Sequence, residues 1–111
     1  TLRLTLNKKW FDLIEKGIKT EEYREVKRFW IARLLSNIEY LTDLDGVKNV
    51  GARFKKYDYV EFTNGYSKSS RQITVEFVNL SIGQGFPEYG AIQGQEYFII
   101  KLGRELGRQN C

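Results

Sequence analysis

The first seventeen residues leave the chain little choice of fold. Leu2, Leu4 and Leu6 alternate with Thr1, Arg3 and Thr5, the period of two that marks a half-buried strand. Asn7 then stands where a helix N-cap is wanted, opening a helix to about Lys16. Trp10, Phe11, Leu13 and Ile14 form its apolar stripe, while Asp12 and Lys16 lie one turn apart on the wet side. Gly17 closes it as a C′ residue, where a positive φ costs glycine least. A strand passed directly to a short, glycine-stopped helix points to an α+β fold.

The remaining composition excludes more than it selects. With 111 residues the chain reads as a single domain spanning 1–111. Aromatic residues make up 14% and hydrophobic residues 41%, too much for a disordered segment. No apolar run approaches the ~20 residues that cross a bilayer, so no membrane partner is expected. One cysteine, Cys111, cannot form an internal disulfide, and with no signal-peptide core at the N-terminus the expected setting is cytoplasmic. There is no histidine, which removes His-based zinc sites and Ser-His-Asp or Cys-His catalysis. No metal and no cofactor is expected, and acid–base chemistry would fall to Glu, Asp, Lys or Tyr. The net charge of +4 and a pI near 9.2 suit a nucleic-acid-binding domain, although many small basic proteins bind nothing anionic. Lys48, Arg53, Lys55 and Lys56 sit close in sequence, followed by Lys68 and Arg71. A solvated face is the competing explanation for such runs.

Further along, residues 20–41 are rich in helix formers, and Val26, Trp30, Leu34, Ile38 and Leu41 recur near helical spacing. Residues 42–56 carry Asp, Gly and Lys with little periodicity and read as a loop. Residues 57–63 alternate and are aromatic, a strand, and Asn64-Gly65 marks a tight turn leading into the polar loop 66–70. A long strand should run from Arg71 to about Ile82. Its apolar positions change parity between Phe77 and Leu80, so a bulge or bend is expected near Phe77–Asn79. Residues 83–95 are glycine-rich and contain the only proline, and Gly83-Gln84-Gly85 lacks the third glycine and following helix of a phosphate loop. A last strand covers Glu96 to Leu102. The total is about five strands and two helices, with the strands curled into a small barrel.

The chemistry concentrates in residues 17–24, Gly-Ile-Lys-Thr-Glu-Glu-Tyr-Arg. Lys19 and Arg24 bring two cations to one short segment, and an arginine fork can grip a phosphate. Glu22 accepts hydrogen bonds, from an exocyclic amine for example, or can act as a general base. Tyr23, Tyr66, Phe86 and Tyr89 can stack on a base. Tyr66, in a polar loop, is the one least expected in the core. On spacing alone the commoner explanation is plainer: a local Glu22–Arg24 ion pair with Lys19 as a solvated turn residue.

Written as G-x-K-x-x-E-x-R, residues 17–24 resemble the signature of the ASCH domain, a small β-barrel module with a PUA-like fold. The order of elements is similar over nearly the whole chain: strand, helix, motif, a helix carrying Phe29-Trp30, then strands with Tyr57 to Phe62 and Glu96 to Leu102. The Asn64-Gly65-Tyr66 turn and the segment from Ile82-Gly83 to Pro87 look like those of small phage and bacterial members. The resemblance implies an extended segment at 18–24, with a helix starting near Val26 or Lys27, instead of one long helix from Thr20. It also implies a PUA-like barrel with two flanking helices and a cleft, lined by Lys19, Glu22 and Arg24, that accepts RNA or a modified nucleotide.

Three readings follow. In the first, the chain is an RNA- or nucleotide-binding module with Lys19, Glu22, Arg24, Tyr66, Lys68 and Arg71 as contacts. In the second, it is an RNA-processing enzyme, a ribonuclease or an acetylcytidine-type amidohydrolase, with Lys19 and Glu22 as catalytic acid–base residues. The amidohydrolase branch uses a Thr nucleophile where this chain has Glu22, so that chemistry does not transfer directly. In the third, a protein-interaction domain, the motif only braces the fold.

Overall fold

In the computed structural model, residues 1–36, 45–47 and 53–110 are described. Among them the elements run β1 (Leu2–Leu6), α1 (Lys8–Glu15), β2 (Glu21–Glu25), α2 (Arg28–Leu34), β3 (Leu35–Ser36), a helical turn at 45–47, β4 (Arg53–Phe54), β5 (Tyr59–Asn64), β6 (Gln72–Gln84), a 3-10 turn (Pro87–Tyr89) and β7 (Glu96–Gln109). Five strands hydrogen-bond in the order β1-β5-β6-β7-β2, and β3 and β4 form a separate two-stranded ribbon. The five-stranded sheet is mixed: β1 runs parallel to β5, whereas β5 runs antiparallel to β6. The fold class is therefore α+β. A closed barrel, expected from the sequence, is not what this order gives. Closure requires the terminal strands to pair, and here β1 and β2 stand at the two ends of a linear order.

The contacts divide the chain into two compact units, the first formed by Thr1–Glu22, Tyr57–Asn79 and Ile100–Cys111 and the second by Tyr23–Lys56 and Leu80–Ile99.

In the first unit, Leu2, Leu4 and Leu6 bury one face of β1, and Val60 and Phe62 of β5 and Ile73 and Val75 of β6 are buried too. Register holds Leu2 opposite Val60 and Leu4 opposite Phe62, so the apolar faces coincide. Asn7 caps α1 as the sequence implies: its Oδ1 accepts from Trp10 N at 3.2 Å. Phe11 and Ile14 are the buried positions of this helix. Gly17 adopts φ +75°, the left-handed conformation expected of it. That reversal returns Ile18 N and Lys19 N to the Leu13 carbonyl, at 2.9 and 3.0 Å, and satisfies the helix end.

Residues 20–36, which belong to the second unit from Tyr23 onward, are the extended segment and short helix, not one long helix. Glu21–Glu25 is strand and α2 starts at Arg28. Ile31, Leu34 and Leu35 are buried. Lys55, counted in the sequence among the cations of a basic run, caps α2 instead: its Nζ donates to Ala32 O at 2.8 Å and its N to Leu34 O at 2.8 Å. Tyr23 is buried with Ala91 and Tyr97. Its hydroxyl accepts from Phe86 N at 2.9 Å, and Gly85 lies so close that a Cβ there would come within 2.5 Å of the ring.

Other expectations need correction. The loop assigned to residues 42–56 contains a helical segment at 45–47 and β4, and its remaining residues up to 52, with 37–41, lie outside the described residues. The Asn64-Gly65 turn leading into a polar loop is present: Asn64 ends β5, Gly65 takes φ +88°, and the loop extends through Ser70, whose N–H donates to Ser67 O at 3.1 Å. The glycine-rich 83–95 segment holds the 3-10 turn. The last strand does not stop at Leu102 but reaches Gln109. The parity change in β6 is present: Ile73 and Val75 are buried, Val78 and Asn79 are exposed, and Leu80 is buried again.

Candidate functional site

Among the described residues, Lys19 and Glu22 are the buried charged ones. Lys19 Nζ donates to Glu22 Oε1 at 2.7 Å, and the two side chains are 1% and 5% exposed. The Trp10 indole completes the enclosure, with Lys19 Nζ 4.4 Å from the ring centroid. All three residues belong to the first unit. Local structure explains the arrangement. The Gly17 turn ends α1 and brings the chain back so that Lys19 meets the indole presented by the first turn of the helix, while β2 delivers Glu22 three residues later.

Lys19 also borders a pocket of about 250 Å³ in the same unit, walled by Gly17 and Thr20 after α1, Val75 of β6, and Leu102 and Gly103 of β7. Thr20 O accepts from Leu102 N at 2.9 Å, which ties the turn to β7 across the pocket floor. The volume lies just below the ~300–1,000 Å³ of sites for drug-sized molecules. A single ring system is the scale of group it can take.

Carboxylates and guanidiniums brace the pocket from outside. Glu15 and Glu105, both pocket residues, are held by Arg108, whose NH1 is 3.5 Å from Glu15 and whose NH2 is 2.6 Å from Glu105. That hydrogen bond from Arg108 holds the Glu105 carboxyl below the ordinary carboxylate range. Arg71 reaches Asp12 at 2.8 Å and Glu15 at 3.8 Å, with its guanidinium 4.6 Å from the Phe11 ring. The Asp12 carboxyl is lowered as well, first by the hydrogen bond from Lys8 and then by that from Arg71.

The expected site residues are thus not all alike. Lys19 and Glu22 are together and enclosed, contrary to the picture of Lys19 as a solvated turn residue. Arg24 is half-buried on β2 in the second unit, its guanidinium 5.0 Å from the Trp30 ring. Arg71 is engaged with α1 carboxylates. Tyr66 is 94% exposed and Lys68 is exposed, both in the loop after β5. Of the other stacking candidates, Tyr23 is core, Tyr89 is partly buried against that core, and Phe86 is exposed.

Trp10 and the pocket walls escaped the sequence reading. Trp10 was assigned to the apolar stripe, and nothing in its spacing marks it as the lid over Lys19. That contact exists only because Gly17 reverses the chain. Among the described residues no group of three or more His, Cys, Asp or Glu side chains is placed to hold a metal ion, and no helix is long and apolar enough to cross a membrane. Comparison of the chain with protein-family models, curated proteins and solved structures gives no significant match.

Proposed function

We propose that the chain is an RNA- or nucleotide-binding module of the ASCH, PUA-like type, acting in the cytoplasm. The pocket that Lys19 borders receives a base, and Lys68 and Tyr66 of the same unit contribute phosphate and stacking contacts. The enclosed Lys19–Glu22 pair carries this reading. Removing two charges from water costs several kcal/mol per ion, and well-packed apolar residues in their place would often be as stabilising or more so. An enclosed ion pair whose lysine lines a pocket is a candidate functional site. The sequence of β1, α1, Gly17 turn and β2, with the G-x-K-x-x-E-x-R residues on the last two, supports the family assignment. The +4 charge supports an anionic ligand.

The test separates function from bracing. Lys19→Met/Glu22→Leu removes both charges at nearly constant volume, so the folded protein should melt at or above the wild-type temperature. Titration with short RNAs and with nucleoside monophosphates at two salt concentrations should show salt-sensitive binding in the wild type. The double variant should lose it. Equal affinity in both proteins would end the reading, and a variant that unfolds would assign the pair to structure.

That Lys19 lines the pocket with Glu22 hydrogen-bonded to it also supports a second reading, in which the pair acts as acid and base on a bound substrate. Recovering the RNA after incubation decides between them: cleaved or deacylated product that Glu22→Gln abolishes, with binding retained, would make the module an enzyme.

A further inference from the structure

The second unit carries a cluster that the motif does not include. On α2, Ile31 and Leu34 face the core, and the opposite side presents Arg28, Phe29 and Arg33. Phe29 is 56% exposed, packed edge-on against half-buried Trp30 with ring centroids 4.8 Å apart. The Arg33 guanidinium lies 5.3 Å from the Phe29 ring and 5.4 Å from the Trp30 ring, the i,i+4 and i,i+3 spacings that place side chains on one helix face. Arg24 contributes a second guanidinium at 5.0 Å from Trp30. α2 itself carries Arg28 and Arg33 and no carboxylate, while Lys27, just ahead of it, lies 3.9 Å from Glu25.

We infer that this face binds single-stranded nucleic acid: an unpaired base stacks on Phe29 beside Trp30, and Arg28, Arg33 and Lys27 hold the adjoining phosphates. The inference takes the nucleic-acid ligand from the reading above and assigns it a second surface, separate from the pocket. Three features fit this occupant together. An exposed aromatic ring gives a stacking platform that accepts any base. Guanidiniums already lying against the rings can stack and bind phosphate at once. A helix with two arginines and no carboxylate complements a polyanion. A protein-binding face built on the same aromatic pair would not require the uniform charge.

Oligothymidine is the probe, because stacking of this kind is indifferent to the ribose hydroxyl whereas the pocket reading is tested with RNA and mononucleotides. Wild type should bind single-stranded oligothymidine with a salt-dependent affinity. Phe29→Ser/Arg33→Ser should weaken it about tenfold, the loss of one stacked base with its phosphate contact. Phe29 is more than half exposed, so the fold should survive. Arg28→Glu, a charge reversal at an exposed position, is the second variant and should flatten the salt dependence. The Lys19→Met/Glu22→Leu pocket variant, run beside them, shows how much of the oligothymidine affinity the pocket supplies. Unchanged affinity in both α2 variants overturns the inference, as does an equal loss for duplex DNA of matched charge, or a loss confined to the pocket variant. Failure of the pocket reading would leave the oligothymidine result intact.

Discussion

Each unit sets a tryptophan against cations, and the two do it in opposite ways. In the first, Lys19 lies 4.4 Å from Trp10, is matched at 2.7 Å by Glu22, and is sealed from solvent. In the second, Arg24 and Arg33 lie 5.0 and 5.4 Å from Trp30 beside a half-exposed Phe29, on a helix without a carboxylate. The choice of cation follows the task. A lysine ammonium is a compact point charge that one carboxylate can neutralise in a closed space, whereas a guanidinium is weakly hydrated and stacks on a ring while keeping donors for a ligand. One arrangement stores charge inside; the other displays it.

The largest effect should come from breaking the stored charge on one side only. Lys19→Ala leaves Glu22 enclosed without its cation and should cost about 3–5 kcal/mol of unfolding free energy, read from urea titrations. High salt should change the wild-type value little, because an enclosed pair is poorly screened. If Lys19→Ala cost no more than a surface substitution, the contrast between the units would collapse.

Removing a displayed cation should matter much less to stability. Arg33→Ala gives up contacts to two rings and should cost about 0.5–1 kcal/mol in the same assay. Its main consequence should fall on ligand binding. A loss as large as that for Lys19→Ala would mean that the α2 cluster holds the unit together instead of facing outward.

The smallest effect should be seen at the surface pairs of the first unit, a third way of placing cations. Asp12 is held below the ordinary carboxylate range by Lys8 and then Arg71. A depressed folded value means that its contribution is complete above the unfolded pKa of about 3.9 and is lost as pH falls through the lower folded value. Asp12→Asn should therefore lower the melting temperature slightly at neutral pH, where the contribution is complete, and make the acid limb of the profile shallower, the two proteins converging as pH falls through the folded value. An equally steep limb would show that other carboxylates set it.

What the sequence made legible was whatever local chemistry decides. Alternating Leu2, Leu4 and Leu6, the Asn7 cap and the Gly17 stop each need only neighbours within a few residues, and β1, α1 and the φ +75° turn follow. The parity change in β6 was visible for the same reason. The tail of β7 was not, because Gly103, Arg104, Glu105 and Gly107 have no strand pattern of their own. Glu76 helps to anchor it, its Oε1 accepting from Arg104 N at 3.0 Å, and a Cβ on Gly103 would come within 2.9 Å of Glu76 and Val78. At the candidate site, the motif pointed to the right residues but not to their burial. A lysine two residues past a helix stop reads as solvated until the indole that covers it is known.

The parallel pairing of β1 with β5 bears on how the chain is made. Leu2 finds its partner at Val60, so β1 leaves the ribosome well before the strand it pairs with, which begins at Tyr59. At ~5–20 residues per second that interval lasts on the order of seconds. Throughout it, three leucines of a β-prone segment have no ladder to join. Arg3, placed between Leu2 and Leu4 and still exposed in the finished fold, puts a charge in the middle of that segment. Its value lies in the nascent chain, as a gatekeeper against premature association, more than in the 3.5 Å contact it later makes with Glu61.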